Sequence, residues 1–251
     1  MTKTVVVTGG TSGIGKRTVE RLIADGWRVW SLGRSEKALR EQKSELKAGD
    51  CYEYALCDVG DPASVARAFD EIKKKTDSIY ALICSAGANQ PAALMDMTTE
   101  QADTLINVNF KGPWFCVKEA LPLLSKDAKQ ANPNRVIVLG SIGGMRPKAG
   151  AGMYSATKAA VHVLVGILAV ELAPLGITVN SVAPGTTRTP MIEAAQKVKG
   201  FGLSGASPLG RIAEPDDIVD VIEYFLSDAA RYVNGALLPV DGGTRAAFVK
   251  S

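Results

Sequence analysis

The sequence is poor in the side chains from which metal sites and disulfide frameworks are built. Its 251 residues include a single histidine and only four cysteines. The cysteines, Cys51, Cys57, Cys84 and Cys116, show no CxxC spacing. Zinc sites and small disulfide-bonded folds need such residues at close spacing, so neither is expected, and the thiols should be reduced as in cytoplasmic proteins.

The sequence also lacks an excess of charge and a long uninterrupted apolar run. The net charge at pH 7 is +3, with 22% charged and 46% hydrophobic residues. Nucleic acids and anionic membranes attract proteins with a strong basic excess, so neither partner is expected. No apolar run is expected to reach the length of a membrane helix, and the first residues lead into the segment TVVVTGG without a secretory signal. These features predict a globular cytoplasmic protein.

Short apolar segments rich in branched residues do occur, and they alternate with segments of helical periodicity. Seven of them predict strands, at Lys3–Thr8, Arg28–Leu32, Tyr52–Cys57, Ile79–Cys84, Arg135–Leu139, Ile177–Val182 and Ala236–Val240. Six or so helices lie between them. This alternation is typical of a doubly wound parallel sheet, so the sequence predicts a single Rossmann-type α/β domain over residues 1–251.

One later stretch, Met191–Pro208, interrupts this alternation. It is rich in glycine, alanine, lysine and serine, and its periodicity is weak. Segments of this kind often carry substrate contacts and close over an active site. The sequence therefore predicts a mobile lid at about residues 187–210.

A glycine-rich turn follows the first predicted strand and leads into a predicted helix. Its glycines are Gly9, Gly13 and Gly15, in a GxxxGxG spacing. Glycines let the backbone approach a ligand closely, and the free N–H groups at a helix N-terminus attract phosphate. The turn is therefore interpreted as a cofactor site, the alternative being a tight turn without a ligand.

The residues after the second strand indicate which dinucleotide would bind. In a dinucleotide-binding fold this strand ends at the adenosine ribose, where an acidic residue would favour NAD(H). This chain has Gly33 and Arg34 there, and a guanidinium suits the 2′-phosphate of NADP(H). NADP(H) is therefore favoured over NAD(H), the alternative being that Arg34 is an ordinary surface residue.

Two further strands end in residues suited to a cofactor. Asp58 follows the third strand, where it would accept from an adenine amino group, cap the helix that Pro62 opens, or do both. Ser85, Ala86, Gly87 and Ala88 follow the fourth strand, and these small residues would let a flat ring approach the backbone.

Ser141, Tyr154 and Lys158 are the candidates for proton transfer. Tyr154 and Lys158 are four residues apart in a helix predicted from about Met153 to Leu172, so they share one face. A nearby ammonium favours the phenolate and should lower the pKa of Tyr154 toward the working pH. Ser141, after the fifth strand, would hydrogen-bond a substrate oxygen beside the phenol. Such pairs are also common without a function, so the surrounding motifs must support this interpretation.

Two other polar residues fall inside helical patterns. Asn109 lies within a helical region predicted over Thr99–Leu124 and interrupted near Asn109, and its amide needs a hydrogen-bond partner there. His162 is interpreted as a packing or surface residue rather than a catalytic one.

Taken together, these motifs resemble those of the short-chain dehydrogenase/reductase family over essentially the whole chain. The matching segments are Thr8–Gly15 (TGGTSGIG), Asp58–Val59, Ser85–Gly87, Asn109 in NVNFKG, Ser141, Tyr154–Lys158 (YSATK), Ala183–Thr189 (APGTTRT) and Val240–Gly243 (VDGG). One departure is Ser85, where the family usually has an asparagine that steadies the central strand.

The resemblance implies a role for each candidate catalytic residue. Tyr154 would be the general acid or base, and Lys158 would bind the nicotinamide ribose and lower the pKa of the tyrosine. Ser141 would position the substrate oxygen, and Asn109 would hold a water in a proton relay to Lys158. Hydride would pass directly between the nicotinamide and the substrate carbon, so no metal is needed.

The resemblance also implies two sets of binding residues and an oligomeric state. The cofactor-binding residues would be Gly9, Thr11, Ser12, Gly13, Ile14, Gly15, Arg34, Ser35, Asp58, Val59, Ser85, Ala86, Gly87, Tyr154, Lys158, Pro184, Gly185, Thr187 and Thr189. The substrate-binding residues would be Ser141, Gly143, Met145, Tyr154 and Met191. The predicted substrate pocket has few charges, which suits a hydrophobic or neutral substrate, and the family implies a homotetramer.

The expected function is hydride transfer between NADP(H) and a carbonyl compound or secondary alcohol. Within that class, ketoacyl carrier-protein reductases and reductases of sugars, steroids and small metabolites resemble the chain equally. Two alternatives stay open, an NAD-dependent dehydrogenase of the same family and a non-catalytic cofactor-binding protein on the same fold.

Overall fold

The computed structural model describes residues 3–198 and 207–246, which form one seven-stranded sheet flanked by helices. The strands are β1 Thr4–Thr8, β2 Arg28–Gly33, β3 Tyr52–Leu56, β4 Ala81–Cys84, β5 Asn134–Leu139, β6 Ile177–Pro184 and β7 Leu237–Val240. Their order in the sheet is β3-β2-β1-β4-β5-β6-β7, and all neighbours are parallel. The predicted doubly wound sheet is confirmed, with strand ends shifted by one or two residues.

Eight α-helices connect the strands within the described ranges. They are α1 Gly13–Ala24, α2 Glu36–Leu46, α3 Pro62–Lys75, α4 Thr99–Leu105, α5 Gly112–Ser125, α6 Gly152–Leu172, α7 Pro190–Gln196 and α8 Pro215–Leu226. Short 3₁₀ turns lie at Gly49–Cys51, Leu94–Asp96, Ile142–Gly144, Ala173–Leu175 and Asp228–Ala230.

Helices cover both faces of the sheet, so the central strands are buried on both sides and read as nearly continuous apolar runs. Successive residues of a strand point to opposite faces. Val6 of β1 therefore packs in the core covered by α3, α5 and α6, whereas Val5 and Val7 pack in the core covered by α1 and α8. The two cores hold the strand ends in fixed positions.

The strand order reverses at β1, which lies between β2 and β4. Connections from this point run in opposite directions along the sheet and leave a crevice outside the carboxyl ends of the strands. Thr8, the last residue of β1, pairs in register with Cys84, the last residue of β4. The segments after these two strands therefore open side by side into the crevice.

The helical region predicted over Thr99–Leu124 consists of three pieces. α4 ends at Leu105, a π-helical turn occupies Ile106–Lys111, and α5 follows. The predicted interruption near Asn109 is confirmed, since Asn109 lies inside the π-helical turn and is buried. π-Helical turns are rare and are frequent at functional sites.

α6 and the turn after it form a longer apolar segment than the sequence analysis predicted. Together with the turn after it, Gly152–Leu175 is long and apolar enough to cross a membrane, with a mean hydropathy of 1.7. The prediction that no apolar run reaches this length is therefore wrong. The helix packs on β6 and the π-helical turn and carries the buried Lys158, while Val163, Ile167 and Val170 are exposed. Apolar side chains on both its buried and its exposed face explain the hydropathy.

The predicted lid is partly helical. The Thr189 hydroxyl caps α7 by accepting from the Ile192 amide, and Pro190 occupies the first helical turn. A helix of seven residues is too short to produce a clear periodicity, which is why the sequence did not predict it. Residues 199–206 of the predicted lid lie outside the described residues.

Candidate active site

A cavity of about 520 Å³ lies at the carboxyl ends of the central strands. The segments that follow β1 to β6 line it, together with the π-helical turn, α6 and α7. The lining residues are Gly9, Thr11, Ser12, Gly13, Ile14, Gly33, Arg34, Cys57, Asp58, Val59, Ser85, Ala86, Gly87, Ala88, Val108, Leu139, Gly140, Ser141, Tyr154, Lys158, Pro184, Gly185, Thr187, Thr189, Pro190, Met191 and Ile192.

Most of the site residues predicted from the sequence line this cavity. The predicted residues that do not line it are Gly15, Ser35, Asn109, Gly143 and Met145. The lining residues that sequence reasoning missed are Cys57, Val108, Leu139, Gly140 and Pro190. These are small or apolar residues without a chemical signal of their own. Each one adjoins or nearly adjoins a motif residue in the chain, and that adjacency is the signal by which they could have been found.

The glycine-rich turn between β1 and α1 packs closely on neighbouring backbone. Gly9 has a φ of +66°, and a Cβ there would come within 2.8 Å of the Ala86 Cα. A Cβ on Gly15 would lie 2.3 Å from the Gly9 carbonyl oxygen, so Gly15 serves this packing behind the cavity. Ser12, the N-cap of α1, makes no side-chain capping bond, and no acidic residue lies in the first turn. The positive end of the helix dipole is therefore left to the cavity.

The end of β2 brings Arg34 to the cavity. Arg34 is exposed, and no carboxylate within the described part of the chain pairs with it. A Cβ on Gly33 would lie 3.3 Å from Thr11 Oγ1, so the two segments are in contact here. Ser35 instead caps α2, its hydroxyl accepting from the Ala38 amide at 3.2 Å.

Asp58 shapes the segment after β3. Its Oδ1 accepts from the Gly60 amide at 2.9 Å, and its own amide donates to Ser64 Oγ at 3.0 Å. The predicted alternative that Asp58 caps α3 is wrong, because the N-cap is Asp61, which accepts from the Ala63 amide. Asp58 lines the cavity, so its predicted contact with adenine stays a prediction.

The segment after β4 is tied to two neighbours. The Ala86 amide donates to Thr8 Oγ1 at 3.1 Å, so β1 holds this segment although Ser85 stands at the usual asparagine position. Asn109 Oδ1 accepts from the Ala88 amide at 2.8 Å, and Asn109 Nδ2 donates to the Ala88 carbonyl at 2.9 Å. Both polar atoms of the Asn109 side chain thus bind protein and fix a loop that lines the cavity.

α6 and the end of β5 bring the three catalytic candidates together. Lys158 is 5% exposed, its Nζ donates to the Leu139 carbonyl at 2.7 Å, and it lies 5.8 Å from the centroid of the Tyr154 ring. Ser141 Oγ accepts from the Gly143 amide at 3.0 Å, which gives Gly143 its place behind the serine. Ser141, Tyr154 and Lys158 therefore share one end of the cavity.

The pKa values in this group correct one expectation. Burial lowers the pKa of Lys158 to about 8. Burial also raises the pKa of Tyr154 above its usual value, and a hydrogen bond with Ser141 offsets part of that rise. The expected lowering of the Tyr154 pKa by Lys158 is therefore wrong for this structure, because desolvation of the phenol dominates and the group that partly offsets it is Ser141.

α7 lies close to both ends of the cavity. A Cβ on Gly13 would come within 3.2 Å of Thr189 Cγ2. A Cβ on Gly87 would come within 3.9 Å of Met191 Cε and within 4.0 Å of Lys158 Nζ. Met191 therefore extends toward the end of the cavity where the catalytic candidates lie.

The donor groups around the cavity fit a dinucleotide. The N-terminus of α1, the hydroxyls of Thr11 and Ser12, and the Arg34 guanidinium are all suited to phosphate. Ala86 and Val108 offer apolar surface between this region and Tyr154. The arrangement places an anion-binding region at one end and proton-transfer groups at the other.

Comparison with known families defines the class of protein. A family model described as enoyl-(acyl carrier protein) reductase matches residues 9–245. The chain belongs to the short-chain dehydrogenase/reductase family, which comprises oxidoreductases that act on C=O and CH–OH groups.

Individual relatives span nearly the whole chain. It is 31% identical over 243 residues to the 3-oxoacyl-(acyl-carrier-protein) reductase MabA of Mycobacterium tuberculosis, covering 97% of this chain and 93% of that protein. The Pseudomonas aeruginosa RhlG/NADP complex superposes with a TM-score of 0.88 at 28% identity, covering 97% of this chain and 96% of that one. A 3-ketoacyl-(acyl-carrier-protein) reductase from Brucella melitensis complexed with NADH gives a TM-score of 0.87 at 25% identity, covering 97% of this chain and 98% of that one.

Lys158→Met should stabilise the folded protein at neutral pH. The pKa of Lys158 falls from 10.5 to about 8 on folding, so between these values the unfolded chain binds more protons than the folded one. Stability of the wild type therefore rises with pH across this window, and at pH 7 the buried charge costs on the order of 3 kcal/mol. Losing the hydrogen bond to Leu139 offsets about 1 kcal/mol of the gain.

Urea unfolding at pH 7, 8.5 and 10 measures the difference in the free energy of unfolding between Lys158→Met and the wild type. The advantage of Lys158→Met should shrink as the pH rises, because the wild-type lysine loses its charge. Lys126→Met is the matched control, since Lys126 is 53% exposed and pairs only with the exposed Asp77. A difference between Lys158→Met and wild type that is independent of pH would contradict the assignment of a buried charge.

Proposed function

We propose that this chain is an NADP(H)-dependent oxidoreductase that transfers a hydride between the nicotinamide and a carbonyl compound or secondary alcohol. The observation that carries the proposal is the meeting of Ser141, Tyr154 and Lys158 at one end of the cavity. The opposite end presents Arg34 and the N-terminus of α1, which suit the phosphates of a dinucleotide. The proposal therefore assigns the catalytic and the cofactor-binding groups to one crevice.

The chain's own residues move the proton of the reaction. The dinucleotide, when bound, supplies the hydride that reaches the substrate carbon. Tyr154 donates its phenolic proton to the substrate oxygen as the carbonyl becomes an alcohol, and Ser141 hydrogen-bonds that same oxygen. With its pKa raised by burial the phenol is protonated at neutral pH, so Tyr154 enters the reduction of a carbonyl as the acid. Lys158, with a pKa of about 8, has its Nζ 5.8 Å from the centroid of the Tyr154 ring, so a proton that it returns to the phenol must pass through a bridging group.

Asn109 contributes by holding the π-helical turn against the segment after β4. Its amide is already bound to Ala88 on both polar atoms. A relay water toward Lys158, as the family resemblance implies, would therefore be held by main-chain atoms of the turn.

Tyr154→Phe should retain cofactor affinity but lose turnover by about 10²–10⁴-fold, because the phenol acts only on the reacting oxygen. Turnover is measured as NADPH oxidation with acetoacetyl-coenzyme A and with a panel of ketones, aldehydes and quinones, and affinity by fluorescence titration of NADPH. Tyr232→Phe is the control, since Tyr232 is 99% exposed. Near-normal turnover in Tyr154→Phe would refute the role of Tyr154 as the general acid. A wild type that binds NADPH but reduces nothing in the panel would favour the non-catalytic alternative.

The preference for NADP(H) is assigned to Arg34. The structural relatives were solved with NADP in one case and NADH in the other, so the preference rests on this chain's own charges. Arg34 is an unpaired cation at the cavity among the described residues, and Gly33 beside it carries no carboxylate. A guanidinium binds phosphate through two parallel hydrogen bonds, whereas the ribose hydroxyl of NAD(H) gains little from it.

Arg34→Ala should weaken the binding of NADPH by about ten- to a hundredfold, because hydrogen bonds to charged groups contribute roughly 1.5–3 kcal/mol. The binding of NADH should change little. Combining Gly33→Asp with Arg34→Ala should invert the preference by placing a carboxylate where the 2′-phosphate would lie. The measurement is kcat/KM for both cofactors, with Arg40→Ala, a mainly exposed arginine of α2, as the control. A wild-type enzyme that already prefers NADH would overturn the assignment.

The substrate is proposed to be a neutral or apolar carbonyl compound of the cytoplasm. Pro190, Met191 and Ile192 of α7 line the cavity, Met191 near the catalytic end, and none of them carries a charge. MabA is a 3-oxoacyl-(acyl-carrier-protein) reductase, which makes a 3-oxoacyl thioester the first substrate to assay. In this proposal the chain is one domain, with residues 187–198 of the predicted lid beside the substrate, and neither nucleic acid nor a membrane is a partner.

The exposed apolar side chains of α5 and α6 support a homotetramer. Trp114 of α5 is 45% exposed, and Val163, Ile167 and Val170 of α6 are 66%, 49% and 76% exposed. The three α6 residues recur at intervals of three and four, so they form one stripe along the helix. Contiguous apolar surface of this kind on a globular protein commonly marks a contact with another chain. A second copy of this chain would cover it.

Light scattering of the wild type should give the mass of four chains. Ile167→Glu combined with Val170→Glu should lower that mass, because the carboxylates would be buried without partners at the subunit contact. Leu56→Glu at the edge strand β3 is the control, since Leu56 is equally exposed at 49% but far from α6 in the sheet order. A wild type that is monomeric at micromolar concentration would remove the proposal.

A further inference from the structure

His162 lies one helical turn beyond Lys158 on α6, so Tyr154, Lys158 and His162 follow one another at four-residue spacing. It is the only histidine in the sequence. Its Nε2 accepts a hydrogen bond from the Ser141 main-chain nitrogen, at 3.4 Å. The residue does not line the cavity, so any effect on the reaction must pass through a neighbour.

The Ser141 amide stands at the point where the sheet stops supplying acceptors. The preceding amide, of Gly140, still donates to the Val182 carbonyl of β6 at 2.8 Å. The Ser141 carbonyl already accepts from the Gly144 amide at 3.1 Å as the chain turns into the short helix Ile142–Gly144. Among the described residues, the His162 imidazole is the acceptor for the Ser141 amide. A buried amide without a partner would cost free energy and leave this residue free to move.

The chain around Ser141 fits closely against the imidazole ring. A Cβ on Gly140 would come within 2.6 Å of His162 Nε2, and one on Gly144 within 2.7 Å of His162 Cε1. Glycines on both sides of Ser141 therefore allow the backbone to contact the ring directly. The histidine and the two glycines form one unit that determines where Ser141 lies.

The imidazole is neutral and can therefore accept a hydrogen bond. Burial, with a smaller contribution from the Lys158 ammonium, lowers the pKa of His162 to about 4. Gly140 and Gly144 approach the ring, the hydroxyl of Ser181 on β6 borders the same space beside Gly140 as His162 Nε2, and none of these groups titrates in this range. The Ser181 hydroxyl has no hydrogen-bond partner within the described residues, so it does not compete for Nε2. The proton of the neutral ring then lies on Nδ1.

We propose that His162 is a positioning residue for Ser141, whose amide it binds so that the serine hydroxyl stays fixed beside Tyr154. This inference rests on the proposed role of Ser141 in binding the substrate oxygen. A small displacement of that hydroxyl would weaken its contact with the reacting oxygen, whereas the dinucleotide region at the other end of the cavity would be unaffected.

Two substitutions separate the acceptor from the volume of the ring. His162→Gln places an amide oxygen near the position of Nε2, whereas His162→Leu fills similar space without an acceptor. His162→Leu should lower kcat with acetoacetyl-coenzyme A about two- to tenfold, the range of one ordinary hydrogen bond, and leave KM for NADPH unchanged. His162→Gln should restore most of kcat. Equal losses in both variants would overturn the proposal, because packing alone would then explain them.

A double-mutant cycle tests whether His162 acts through Ser141. In a Ser141→Ala background the amide remains but the hydroxyl is absent, so His162→Leu should cause no further loss of kcat. An additional loss equal to that in the wild type would overturn the proposal. A general effect on folding would appear in both backgrounds, and thermal unfolding of all four proteins measures it.

Hydrogen–deuterium exchange of the Ser141 amide gives a readout that needs no substrate. Exchange should be faster in His162→Leu than in the wild type and nearly normal in His162→Gln. Retained turnover in both Tyr154→Phe and Ser141→Ala would overturn the proposed function itself. Unchanged exchange in His162→Leu, with Tyr154→Phe and Ser141→Ala both impaired, would overturn the role of His162 alone.

Discussion

The buried ammonium of Lys158 needs an acceptor away from water, and it meets one where α6 passes the end of β5. Its Nζ reaches the carbonyl of Leu139, the last residue of β5, at 2.7 Å. Tyr154 lies one turn before Lys158 and His162 one turn after it. The same contact therefore places the phenol at the cavity and the imidazole against the backbone of Ser141. Moving α6 by one turn along the sheet would separate all three from their partners.

The sheet and most helices could be predicted because their signals are local. Branched apolar runs identified all seven strands, and the helix predicted from about Met153 to Leu172 is α6, Gly152–Leu172. The Tyr154–Lys158 pair could also be placed on one face of a helix from its spacing alone. These predictions depend on periodicity and on the residues that begin and end each element. Both signals are present in a single sequence.

The parts that could not be predicted depend on which residues meet in three dimensions. Nothing near His162 in the sequence indicates that its acceptor atom meets Ser141, twenty-one residues earlier. The same holds for Asn109, whose side chain binds the Ala88 backbone across the cavity wall. The pKa of Tyr154 was predicted with the wrong sign because spacing reveals a neighbouring charge but not the loss of water around the phenol.

The π-helical turn at Ile106–Lys111 limits how this chain can change in length during evolution. Such a turn holds one residue more than an α-helical turn, and that residue cannot be removed without rotating everything after it. Because each α-helical residue turns the chain by about 100°, a one-residue deletion would swing the face of α5 away from the sheet or pull Asn109 from the Ala88 backbone. Insertions and deletions should therefore be rare between α4 and α5 and should collect in the loops at the opposite ends of the strands.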